Sequence, residues 1–81
     1  MELRDFEYFA VLAHFGNVRL ASEALDLTPG ALSKSLHRLE RELQARLFER
    51  TSKGVELTSV GTALLFRVQH LRSSLDDVAR D

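Results

Sequence analysis

Few residues in this chain could make or break a covalent bond, and those few are scattered. His14, His37 and His70 never recur at ligand spacing on one element, so they form no metal-binding pair. There is no cysteine, which excludes disulfides and thiolate metal sites and fits a reducing compartment. The serines lie in neither a nucleophile elbow nor a phosphate loop. No catalytic residue, metal ligand or cofactor is therefore nominated. What remains is cationic: Lys34, Arg38 and Arg41 at helical spacing, then Arg50 and Lys53 a little further on. Such a pattern binds phosphate groups or simply faces water. The elements that carry it decide between the two.

At 81 residues, with 44% hydrophobic and 28% charged residues, the composition is that of one small globular domain. A core of this size is marginal, and a partner chain would help it. No apolar run is long enough to span a membrane, and "MELRDFEYF" lacks the layout of a signal peptide. A cytoplasmic location away from membranes is expected. The net charge of −1 argues at first against a nucleic-acid partner. Its distribution argues the other way: residues 1–27 are net acidic, whereas residues 28–57 hold six basic groups against four acidic ones. Local placement outweighs the total.

The elements read as mainly α. "LRDFEYFAVLAHF" puts Leu3, Phe6, Phe9, Ala10 and Ala13 on one helical stripe, with Gly16 as the stop. Asn17 caps a short second helix, "VRLASEALD", whose Ala21, Ser22 and Ala24 allow close packing. After a tight turn, "LTPGALSKS" combines a Pro-Gly turn signal with the start of the strongest helix. Both fit if Thr28 is the cap and Pro29 takes the first helical position, where its missing N–H costs nothing. Leu32, Leu36, Leu39 and Leu43 then form a buried stripe, with Gly30, Ser33, Lys34, His37 and Arg41 opposite and Arg38 toward one flank. "ARLFERTSKGVELTS" predicts a short β-hairpin with Lys53-Gly54 in its turn, where Arg46 and Arg50 could pair with Glu42 or Glu49. Thr58 caps a last helix in which Leu64, Val68, Leu71, Leu75 and Val78 make a heptad seam.

A short helix, a tight turn and a helix with a cationic outer face together point to DNA. An α-helix fits the major groove, and side chains near its N-terminus reach base edges there. Gly30 and Ser33 leave room for close approach to phosphate, and the helix dipole favours it. Arg38, Arg41, Arg50 and Lys53 would bind phosphates and fix the register. The alternative is a module whose helix face and long helix serve only protein–protein contacts.

The stretch "ASEALDLTPGALSKSLHRLERELQARLFERTSKGVELTSVG" resembles the winged helix-turn-helix of LysR-type transcriptional regulators. The motif "ALSK.L..LE.EL...LF.R" followed by "G..LT..G" carries the resemblance, which covers essentially the whole chain. It implies a three-helix core with a hairpin wing at 46–57, a recognition helix opened by Leu27–Ser35, and a linker helix from Thr58 that pairs two subunits. The implied division is a DNA-binding unit at 1–57 and a linker helix at 58–81. The DNA-contacting set is then Thr28, Pro29, Gly30, Ser33, Lys34, His37, Arg38, Arg50 and Lys53, and the partner is an inverted-repeat operator in duplex DNA. The dimer seam is Leu64, Val68, Leu71, Leu75 and Val78, part of which is expected to pack on the first helix of its own domain while the outer residues need a second subunit; a tetramer stays open for a longer protein. A small-molecule effector would belong to a C-terminal domain that lies outside this sequence. Lys34 stands where the family commonly has arginine, Pro29 where it commonly has glutamine, and Asp26 in place of a turn glycine. A lysine lacks the planar bidentate fit to guanine, so operator preference should differ.

Overall fold

A computed structural model describes residues 1–80; the last position of the expected linker helix, 81, lies outside the described residues. The order is α1 (Leu3–Phe15), α2 (Val18–Ala24), α3 (Pro29–Leu43), β1 (Phe48–Thr51), β2 (Gly54–Leu57) and α4 (Ser59–Arg80). The predicted caps are all in place. Asn17 Oδ1 accepts from the Leu20 N–H at 2.9 Å, Thr28 Oγ1 from Ala31 at 3.1 Å, and Thr58 Oγ1 from Gly61 at 3.0 Å. Each satisfies an amide that the first helical turn leaves without a partner. Pro29 occupies the first turn of α3, and Asp26 adopts the left-handed conformation (φ 56°) that the replaced glycine would favour.

Phe9 and Leu12 of α1, Ala21 of α2, and Leu32, Leu36 and Leu39 of α3 form the core with Leu47, Phe48 and Val68. The rings of Phe9 and Phe48 are 5.4 Å apart and tilted by 52°, which ties α1 to the base of the wing. Truncating a fully buried residue such as Leu39 to alanine would cost about 2–5 kcal/mol.

Three expectations change. The inward face of α1 is not the stripe through Leu3, which is 60% exposed; it runs through Asp5, Phe9 and Leu12. A carboxylate can occupy that face because its partners wait on α3, as described below. The hairpin turn is Ser52-Lys53 rather than Lys53-Gly54, since Gly54 pairs with Thr51 and opens β2. Val68 is only 6% exposed, so the domain's own core takes up the middle of the expected seam. Leu64 is partly covered, whereas Leu71, Leu75 and Val78 stay exposed. At about 33 Å, α4 outruns the core, and every residue from 69 to 80 is exposed.

Two glycines set how closely the wing packs. A Cβ on Gly61 would collide with the Leu47 carbonyl oxygen, so α4 can begin against the segment that leads into β1 only with glycine there. Gly54, at φ 137°, would drive a Cβ into the Gly16 carbonyl oxygen.

Candidate nucleic-acid interface

The apolar stripe of α3 turns inward, which leaves Thr28, Pro29, Gly30, Lys34, His37 and Arg41 exposed along the opposite face. Nothing lies within 4 Å of where a Gly30 Cβ would stand, so no packing within the domain requires glycine there. Its slimness faces outward. Among the described residues Lys34, His37 and Arg41 take part in no ion pair or side-chain hydrogen bond. Lys34, His37 and Arg41 line a concavity with Glu40, Gln44, Ala45 and Arg46 at the far end of the helix. Ser33 and His37 also line a narrower groove between α3 and the wing, across from Arg50 and Val55. Arg50 and Lys53 are exposed on the hairpin, and neither has an ion-pair partner among the described residues.

Arg38 is held differently. Its Nη2 donates to Asp5 Oδ1 at 2.8 Å, and Ser35 Oγ donates to the same oxygen at 2.7 Å. The Glu2 N–H donates to Oδ2 at 3.4 Å. Burial pushes the Asp5 carboxyl up, but the hydrogen bonds from Arg38, Ser35 and Glu2 and the Arg38 charge outweigh it. The carboxyl is held below its ordinary value. In return the hydrogen bond and charge of Asp5 hold the Arg38 guanidinium above its own. The carboxylate is thus paired and hydrogen-bonded, as a buried charge must be.

Two further contacts hold the C-terminal end of α3. Glu40 Oε2 accepts from the Leu47 N–H at 2.7 Å and so joins the helix to the residue just before the first strand of the wing. Arg46 faces that same carboxylate at 3.9 Å, and Glu42 instead receives the N-terminal ammonium of Met1 at 2.7 Å, so neither expected arginine pairing with Glu42 or Glu49 forms. The hydrogen bond and charge of Glu42 raise the affinity of that amine for its proton. Periodicity alone missed Asp5, Ser35 and Glu40. The readable signal was an acidic residue at the helical spacing of Phe9 and Leu12.

The sequence model described as "Bacterial regulatory helix-turn-helix protein, lysR family" matches residues 3–62. The chain belongs to the LysR family. It is 41% identical over 80 residues to an HTH-type transcriptional regulator of the ibpB-leuC intergenic region in Azotobacter vinelandii, covering 99% of this chain and 56% of the relative. With the regulator TfdT of Cupriavidus pinatubonensis it shares 38% identity over 65 residues, 80% of this chain and 28% of that one. The LysR-family domain is thus a partial length of both relatives. Its fold superposes on the solved BenM_DBD/catB site 1 DNA complex with a TM-score of 0.90 at 30% identity, covering 99% of this chain and 89% of that one. For CbnR, a LysR family transcriptional regulator, the TM-score is 0.83 at 32% identity, over 99% and 29%. Among the described residues no cluster of His, Asp or Glu could hold a metal ion, and no helix is long and apolar enough to cross a membrane.

Proposed function

We propose that this LysR-family domain binds duplex DNA, with α3 in the major groove and the wing against the phosphate backbone. The observation that carries the reading is the unpartnered line of Gly30, Lys34, His37 and Arg41 on α3, flanked by the wing cations Arg50 and Lys53. In this docking Thr28, Pro29 and Ser33 enter the groove first, and Lys34 reaches a base edge. Arg38, Arg50 and Lys53 serve as phosphate contacts. The fold's likeness to a domain solved on DNA supports the same docking.

The chain then divides by role near Thr58. Residues 1–57 dock on DNA, and the projecting half of the linker helix pairs two copies through Leu71, Leu75 and Val78, with Leu64 at its margin. Two recognition helices joined in this way would read an inverted repeat with half-sites about 34 Å apart or a multiple of that. Such a domain recognises promoter DNA in the cytoplasm and performs no chemistry on it.

Titration of a labelled duplex at two salt concentrations tests the docking. Counterion release requires the affinity to fall steeply with salt. A module built only for protein contacts would show no salt-sensitive affinity for DNA, and that result would overturn the reading. Selection of bound duplexes from a random pool would then supply the half-site and its spacing.

A further inference from the structure

Asp5 is the one charged residue buried among the described residues, 1% exposed, and it lies on α1 rather than on the recognition helix. Its Oδ1 receives both Ser35 and Arg38, which are three residues apart on α3 and so neighbours along one side of that helix. Arg38 is buried only in part, its side chain 37% exposed. A guanidinium carries five N–H donors in a rigid plane, and among the described residues only Nη2 has a partner. The donors left over are therefore held at a fixed place and angle instead of sweeping through solvent.

That place is informative. Around α3, Arg38 lies about 40° from Lys34 and about 60° from Arg41, on the side where α1 packs. Ser33 and His37, which line the groove shared with the wing, lie on the other side of Lys34. A helix seated in the major groove has a phosphate strand along each flank. On this geometry the wing serves one flank and Arg38 the other.

We propose that Asp5 is a positioning residue for DNA binding: it aims the free edge of the Arg38 guanidinium at the phosphate strand opposite the wing. The inference rests on the DNA reading above and goes beyond it by giving a buried residue of α1 a part in docking. Two effects of Asp5 oppose each other. Its negative charge weakens the pull of Arg38 on phosphate, whereas its hydrogen bonds remove the rotamer freedom that Arg38 would otherwise lose on binding. Arg38 keeps its full charge while held, and phosphate contact needs aligned N–H groups, so on this proposal alignment is the larger effect.

The test is a double-mutant cycle on the whole chain, read as affinity for a labelled duplex of mixed sequence, because phosphate contacts are indifferent to base order. Asp5→Asn keeps the shape but replaces the charge-assisted hydrogen bonds to Arg38 and Ser35 with weaker neutral ones, which loosens the hold on the guanidinium; Arg38→Gln removes the contact. Arg38→Gln should lower the slope of log affinity against log salt by about 0.9, one phosphate. Asp5→Asn should weaken binding roughly 3- to 10-fold with Arg38 present and leave it unchanged in the Arg38→Gln background. Tighter binding by Asp5→Asn would show that charge neutralisation dominates and would overturn the proposal. An equal loss in both backgrounds would reduce Asp5 to a structural role and overturn it as well. If Asp5→Asn does not fold, Ser35→Ala takes its place in the cycle with the same sign expected and a smaller factor. Wild-type protein without salt-sensitive affinity would sink the DNA reading itself, an outcome distinct from either failure of the cycle.

Discussion

The backbone N–H of Val55 donates to the Gly16 carbonyl oxygen at 3.0 Å. This bond fastens the second strand of the wing to the turn between α1 and α2, although the two residues are 39 positions apart in the sequence. Beside it, Gly54 has neither a favourable backbone conformation nor space for a side chain.

Gly54→Ala should therefore destabilise the domain by roughly 1–3 kcal/mol through backbone strain and the displaced wing. Urea unfolding measures this directly. An unchanged midpoint would mean that the hairpin adjusts without leaving the Gly16 turn.

Acid should loosen the joint between α1 and α3. The Asp5 carboxyl is held below the value of about 3.9 that it has in an unfolded chain. In the window between the two values the unfolded state binds more protons, so stability rises with pH. The contribution is complete above about pH 4 and is lost as pH falls through the folded value. Melting temperatures below pH 5 should fall more gently for Asp5→Asn than for the wild type. Parallel curves would assign the acid sensitivity to other carboxylates.

On the wing, Lys53→Ala should make the salt dependence of DNA affinity shallower by the equivalent of one phosphate contact. A slope equal to that of the wild type would mean that the Ser52-Lys53 turn stays clear of the backbone.

The proposed docking turns the exposed Lys34 toward the bases. Once an operator is selected, Lys34→Ala should weaken binding to it by roughly 1–3 kcal/mol more than binding to random duplex. Equal losses on both would reassign Lys34 to phosphate.

Leu71 is 47% exposed on the part of α4 that outruns the core. Leu71→Glu should convert a dimer to a monomer in sedimentation while leaving the melting of the domain nearly unchanged. Persistence of the dimer would place the subunit contact elsewhere. Val68 gives the opposite pattern: its truncation should lower stability first, because the domain core holds it.

What the sequence by itself determined was everything set within a turn or two of chain. Asn17, Thr28 and Thr58 cap their helices because a side-chain oxygen reaches an amide three residues on. The leucines of α3 face inward because their spacing matches the helical period, and that leaves Lys34, His37 and Arg41 outside. The motif through "LF.R" and "LT..G" was likewise enough to place the family. Tertiary structure alone decided which faces meet. Nothing in the local sequence singled out Asp5; α3 brings Ser35 and Arg38, 30 and 33 residues away, to one of its oxygens. Spacing put Val68 in the seam of the last helix until α4 lay against α1, and Gly61 was only a letter of the family motif until Leu47 crossed above it. Local signals are short-ranged and repeat along the chain, so they read plainly in one dimension. A buried ion pair or a close backbone crossing joins distant segments, and its partners are chosen only when the helices pack.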